Sequence, residues 1–389
     1  MKAEIRSMLP FYSVILFWGV GSGMLTPVFP LYVRSMGFSI EEWGALVMVY
    51  AVGTFVFEWA WGALSDKIDR RLFIASGLAS GSILVFLYTV GSSKALFYVL
   101  QFVRGALFIM VGPAVKALVS DMNSSGSIGL SMGLYSSVRS LDRAVGPIFG
   151  SFLVTYGSYE HALYAYSAIY MIGAVASLFC FKGKGDPSPP SGEKTPSILQ
   201  DCKYLLTTGS IAILYLIPVI LFMGSTSIGS YLPIYAGEVI GMSTMEIGTL
   251  FSIGNVIGFF TTPMFGWMSD GLGRRRMVLS CFLLSCVSLF GFTIARTPLQ
   301  LTLVLITFRV MFSPLTPMFL AMLTDVTPQR LIGTSMGIYS TFENLGIVLT
   351  PPVYSVIWNV YAPGYIFMFS ALTQVIGILL ILLKPKLIR

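Results

Sequence analysis

Three charges stand in the middle of an otherwise apolar run, SSVRSLDRAVGPIFG at residues 136–150: Arg139, Asp142 and Arg143. At 100° per helical residue, Asp142 lies about 60° to one side of Arg139 and Arg143 about 40° to the other, while Gly146 and Gly150 fall within about 20° of it. One stripe therefore carries the polar and small residues. Each charge near a bilayer centre costs about 2.5–3.5 kcal/mol on insertion scales, so three unpaired charges are hard to accommodate. Asp142 can meet Arg139 one turn away, which leaves net positive charge for a cavity or for an acid on another helix. The other reading is a static ion pair at a tight helix crossing, which Gly146 and Gly150 permit and where Pro147 contributes no N–H.

Further charges interrupt apolar runs elsewhere: Glu58, Arg104, Lys116, Arg309 and Glu343. A carboxylate in apolar surroundings can take up and release a proton, and a guanidinium there can hold an anion. Glu343 is the first candidate proton carrier. Glu58 is the second, with a structural role near the membrane face as its equal alternative. Arg104 and Arg309 suit contact with substrate or proton coupling, whereas Lys116 lies near enough to the face to snorkel. Tyr135 and Tyr339 flank Arg139 and Glu343 by one turn and could stack on, or hydrogen-bond to, an amphipathic solute. Trp18, Trp59, Trp61 and Tyr231 fit interfacial belts or packing better. His161, beside Glu160 at a helix end, reads as a solvated cap.

Such side chains need membrane-spanning elements to hold them, and composition supplies these. The 389 residues are 55% hydrophobic and only 11% charged, with a mean hydropathy of +0.81. Soluble domains carry about 25% charged residues. Apolar runs of about 20 residues predict twelve spans, near 10–33, 43–65, 72–91, 95–120, 128–155, 160–181, 209–236, 245–269, 277–295, 299–324, 332–358 and 363–383. In hydrocarbon an open chain satisfies its backbone only as helix, so an all-α membrane fold is expected. The first span exceeds a signal peptide's apolar core, and no small-residue cleavage site follows it.

The net charge of +7 reflects topology rather than a nucleic-acid partner. Most Lys and Arg fall in segments that an even-span arrangement places on the cytoplasmic side, with both termini there. Cys180, Cys202, Cys281 and Cys286 have no metal-ligand spacing and read as small core residues. With one histidine and no phosphate loop or nucleophile–base pair, neither an enzyme nor a cofactor is expected.

Sliding the chain by about 204 residues reveals an internal repeat. SMGLYS at 131–136 meets SMGIYS at 335–340, Asp121 meets Asp325, Pro147 meets Pro351, and Arg104 lands near Arg309. Two pseudo-symmetric six-helix bundles of the same topology follow, at 1–181 and 209–389. Between them, KGKGDPSPPSGEKTPS at 182–197 is too polar to pack and opens a cytoplasmic linker spanning 182–208.

The pair GALSDKIDRR (62–71) and GWMSDGLGRRR (266–276) resembles the signature loop of the major facilitator superfamily. The first copy keeps Gly62, Asp66, Lys67, Arg70 and Arg71, with Asp69 where the family prefers glycine. The second keeps Gly266, Asp270, Gly273, Arg274 and Arg275, with Gly271 where a basic residue belongs. The resemblance implies twelve helices and a conformational latch formed by Asp66, Arg70, Asp121 and their repeat mates, including Asp325. A plain topology anchor is the simpler reading of the same charges. The tight reversal itself favours Gly273, or Asp69 as a left-handed substitute. GPIFGS at 146–151 resembles the Gly-Pro-x-x-Gly-Gly element of helix five in antiporters of the superfamily.

These readings converge on a secondary transporter that moves a small organic solute by alternating access, as proton-coupled antiport and efflux. A uniporter or symporter for an organic anion is the alternative, and a membrane receptor or enzyme the remote one. Membrane lipids and protons are the expected partners, in a functional monomer within the cell membrane.

Overall fold

The computed structural model describes residues 2–65, 69–91, 93–112, 114–115, 143–180, 198–328 and 331–382. Among these residues the chain is helical, with no strand. Nine helical stretches among the described residues are long and apolar enough to cross a membrane, as the charge-poor sequence requires. Of the three remaining expected spans, two run into residues outside the described set. The third, near 332–358, is a continuous 29-residue helix from Ile332 to Val360.

Contacts divide the chain into two compact units, Met1–Ser191 with Ser243–Ser252, and Gly192–Met242 with Ile253–Arg389. In the first unit, α1 (Lys2–Ser35), α2 (Ile40–Ser65), α3 (Arg70–Val90) and α4 (Lys94–Phe108) precede α5 (143–156) and α6 (Tyr159–Cys180). Helix α6 packs on α1 and α3, and α2 packs on α4. The α2–α4 crossing is set by glycine. A Cβ on Gly53 would fall 2.5 Å from the Phe102 carbonyl oxygen, and one on Gly105 would collide with the Tyr50 carbonyl. Helix α5 meets α1 in the same way, because a Cβ on Gly146 would lie 2.5 Å from the Val20 carbonyl oxygen and one on Gly150 3.0 Å from the Met24 Cα. Small residues let the backbones touch where lipid provides no hydrophobic drive for association.

The second unit opens with α7 (Ile198–Thr207), an amphipathic helix within the expected linker whose Leu205 is buried in the core. It continues through α8 (Gly209–Leu214), α9 (Leu216–Thr226), a π-helical turn at Ser227–Tyr231 and α10 (Leu232–Glu238). Then follow α11 (Thr244–Leu272), whose residues up to Ser252 belong to the first unit, α12 (Arg274–Ile294), α13 (Pro298–Phe312), α14 (Leu315–Val326), α15 (Ile332–Val360) and α16 (Tyr365–Leu382). The repeat reappears as packing. A Cβ on Gly346 would lie 2.5 Å from the Val219 carbonyl oxygen, a glycine crossing like that of Gly146 on Val20 but one turn out of the repeat register, which sets Thr350 against Gly146.

Two expected spans are interrupted. Between α9 and α10, the Leu232 N–H reaches back to the Ser227 carbonyl, five residues away. Pro233 follows immediately, and in a regular helix its ring would strike the carbonyl four residues before it. Widening the turn relieves that clash. Between α13 and α14 the chain turns at Ser313–Pro314, where proline again withholds an N–H.

The two signature loops turn differently. Gly273 has φ +93°, a conformation that glycine adopts without strain. Asp69 does not act as its left-handed substitute, since its φ is −53°. Instead it caps α3, accepting the Arg71 N–H at 3.0 Å and pairing with the Arg71 guanidinium at 2.8 Å. An aspartate at an N-cap satisfies an orphan donor without needing positive φ.

Two outcomes follow. Gly146→Ala should lower stability by about 1–3 kcal/mol by forcing α5 off α1. Gly337→Ala on α15, where no atom lies within 4 Å of a new Cβ, should raise it by about 0.5–1 kcal/mol. Thermal unfolding of the purified protein distinguishes the two. The Arg71 guanidinium also holds the Asp69 carboxyl below the usual carboxylate range. Its stabilisation is complete above the unfolded value near 4 and fades as pH falls through the lower folded one. With the carboxylate side chain 41% exposed, it is worth under about 1 kcal/mol. Asp69→Asn keeps a good cap, so its melting deficit at pH 7 should shrink as pH falls below the unfolded value near 4.

Candidate functional site

Arg104 occupies the third turn of α4 and remains part-accessible. Because Gly53 and Gly105 bring α2 against α4, the Tyr50 ring comes over the guanidinium, with centroid and carbon 5.3 Å apart. Phe29 of α1 supplies a second ring at 5.4 Å. Such contacts stabilise a cation by about 0.5–2 kcal/mol each, more when water is excluded. The guanidinium donates to the Gln101 Oε1 at 3.3 Å, an oxygen that already accepts the Tyr88 hydroxyl at 2.9 Å. Tyr166 and Tyr170 of α6 complete the electrostatic surroundings. Among the described residues no carboxylate pairs with Arg104.

The tyrosines are themselves anchored. The Tyr170 hydroxyl donates to the Trp18 carbonyl at 2.9 Å and lies 2.7 Å from the Ser22 hydroxyl. Tyr166 stacks on Tyr170 with centroids 4.0 Å apart. Gly21 leaves the space that the Tyr170 ring fills. Sequence reading singled out Arg104 but missed Phe29, Tyr50, Gln101, Tyr88, Tyr166 and Tyr170. Only two local signals were present: Gln101 one turn before Arg104, and tyrosines four apart on α6.

The repeat-related Arg309, on the last turn of α13, has different surroundings. Its Cγ lies 3.2 Å from where a Cβ on Gly254 would be. Gly254 of α11 takes the place in the repeat that Tyr50 holds on α2, so the stem of Arg309 rests on backbone where Arg104 has a ring. Glu343, part-buried on α15, is in electrostatic contact with Tyr339 one turn earlier. Tyr339 is buried and stacks on Phe319 with centroids 6.0 Å apart. Glu58 is part-buried near the end of α2, and Arg143 is exposed at the start of the described part of α5. Arg139, Asp142, Tyr135 and Lys116 lie outside the described residues.

The GPIFGS element meets more than α1. Within the first unit, the Ile148 N–H donates to the Ser252 hydroxyl at 3.1 Å. A Cβ on Gly248 would fall 2.7 Å from the Pro147 carbonyl oxygen and would collide with Ser151. Serine at 151, where the family element has glycine, thus faces a glycine that leaves it room.

In the second signature loop, Arg274 bridges two carboxylates. It meets Asp270 at 3.3 Å and forms a short ion pair with Asp325, and it also donates to the Ala321 carbonyl at 3.1 Å. Arg275 donates to the Ile381 carbonyl of α16 at 3.3 Å. Gly266 is placed within α11, one turn before Asp270. In the first loop Asp66 and Asp121 lie outside the described residues. Gly62 and Arg70 are placed on α2 and α3 by backbone alone, and Arg71 pairs with Asp69.

Comparison with known proteins agrees with this geometry. The chain is 24% identical over 391 aligned residues to Multidrug resistance protein 2 of Bacillus subtilis (strain 168), covering 97% of this chain and 96% of the relative. It is 22% identical to Quinolone resistance protein NorA of Staphylococcus aureus (strain COL), covering 97% and 95%. The fold matches the crystal structure of the nucleoside transporter NupG with TM-score 0.75 at 13% identity, over 99% of this chain and 100% of that one. It also matches a bacterial homolog of the human lysosomal transporter Spinster, inward-facing and occupied, with TM-score 0.79 at 13% identity over 98% and 97%. The family model of the Major Facilitator Superfamily matches residues 11–351 and 214–387. With helices, paired signature loops and sequence all in agreement, the chain belongs to the Major Facilitator Superfamily, as a multi-pass cell-membrane protein that transports small molecules and is not an enzyme.

Proposed function

We propose that this transporter exports a small organic solute in exchange for protons by alternating access. The observation that supports the reading is a part-buried carboxylate, Glu343, in the long helix α15, on a chain whose relatives are named for drug resistance. Protonation removes a charge that costs about 2.5–3.5 kcal/mol at mid-bilayer. Differential stabilisation of that size shifts a two-state equilibrium by roughly two orders of magnitude, enough to bias one packing of the helices over another. Glu58 is a second carrier by the same argument, and Asp142 and Arg139 belong to the same coupling set.

The reading includes two bundles, 1–181 and 209–389, with both termini cytoplasmic and a monomer as the working unit. The Arg274–Asp270–Asp325 cluster acts as a latch that holds one closed state, with Asp66, Arg70 and Asp121 as its counterpart. A second reading, transport of an organic anion without proton exchange, draws support from Arg104, whose charge no described carboxylate balances.

Proteoliposomes carrying the purified chain and a quinolone should show transport that follows an imposed pH gradient. Transport indifferent to the gradient would exclude proton coupling. Glu343→Gln should lower gradient-driven transport by about tenfold or more, while downhill movement persists. For the latch, Arg274→Gln and Asp325→Asn should each slow transport, and the double variant should be no slower than either single one. The expected coupling is about 0.5–3 kcal/mol from a double-mutant cycle, whereas additive losses would mean the two charges act separately.

A further inference from the structure

We propose that the Arg104 cluster is a binding site for the carboxylate of a planar aromatic acid. Four observations converge on it. The guanidinium lies over the rings of both Phe29 and Tyr50, which restrict it before a ligand arrives. Its protein acceptor, the Gln101 oxygen, is shared with Tyr88, and its Nε is buried with no hydrogen-bond partner. The Tyr166 hydroxyl lies beside it, on a side chain with no exposed surface, and makes no bond of hydrogen-bonding geometry. Finally, Arg104 and Tyr50 both keep accessible surface.

The chemistry selects the ligand. A guanidinium beside a hydroxyl suits an acceptor with two oxygens, and a guanidinium with a carboxylate is the bidentate case. Surrounding rings favour a flat apolar body, which can stack on them. A cationic solute would gain from the same rings but would be repelled by Arg104. The proposal rests on the transport reading only in that a solute can reach the site. In the second unit, glycine at 254 replaces the tyrosine, so the site is confined to the first.

The test uses the purified full chain in lipid nanodiscs at pH 7.5, with 2-naphthoate as probe and neutral 2-naphthamide as its control. Calorimetric titration should give the acid about 10–100-fold tighter binding than the amide, the range for a hydrogen bond to a buried charge. Arg104→Gln should abolish that preference, and Tyr166→Phe should reduce it by severalfold. Equal binding of acid and amide would overturn the proposal, as would a preference that survives Arg104→Gln. If Arg104→Gln does not fold, the wild-type comparison and Tyr166→Phe decide. Acetate that competes as well as naphthoate would overturn the aromatic part. Acid-selective binding with gradient-indifferent transport would sink proton antiport alone. Gradient-driven quinolone transport without acid preference would sink this proposal alone.

Discussion

In hydrocarbon a backbone carbonyl or a charged side chain has no water to turn to, and in this chain that constraint decides which residues sit where helices meet. Hydroxyls of Ser22, Thr226, Ser227 and Ser355 bond carbonyls of their own helices at 2.7–2.9 Å. Tyr170, Tyr231 and Tyr354 reach carbonyls of neighbouring helices. Among the described residues, glycine lets backbones come close at 53 and 105, at 146 and at 346. The apolar remainder faces outward without a hydrophobic gain between helices, so packing and polar satisfaction provide the cohesion.

Arg104 obeys the same constraint by another route. A guanidinium in this setting is usually balanced by a carboxylate, yet here aromatic faces and a shared amide oxygen surround it. Its repeat mate Arg309 lies on the backbone of Gly254. Corresponding helices therefore each cross on a glycine, Gly146 on Val20 and, one turn out of register, Gly346 on Val219, while the surroundings of the paired cations differ. Similar packing with different charge environments separates what forms the bundle from what surrounds each cation.

Much of this was legible in the sequence, and the reason is periodicity. Apolar runs long enough to cross a bilayer, a repeat with fixed offset, and glycines on one stripe of α5 are local signals, and each fixes one helix or one face. The ion pairing of the second signature loop was legible in part: Asp325 was marked beside Arg274 and Asp270 through the resemblance, and it pairs with Arg274. The surroundings of Arg104 were not, because Phe29, Tyr50, Tyr88 and Tyr166 come from four other helices and nothing in their local spacing records the meeting. Asp69 was read as a turn residue because it replaces a glycine, but its side chain found a backbone donor to cap. The π-turn escaped because Pro233 alone signals a break, not the way in which the helix absorbs it.

That wide turn has a consequence for how the gene can change. A residue deleted inside an ordinary span rotates everything beyond it by about 100°, exchanging lipid-facing and core-facing positions. Between Ser227 and Tyr231 the helix already carries one residue in excess. A deletion there would tighten the turn to regular α-helix and leave the downstream faces in place, with only the clash at Pro233 to resolve. The segment is thus a frame-correcting spot in a membrane helix, where loss of a codon can be absorbed without reshuffling which side meets the bilayer.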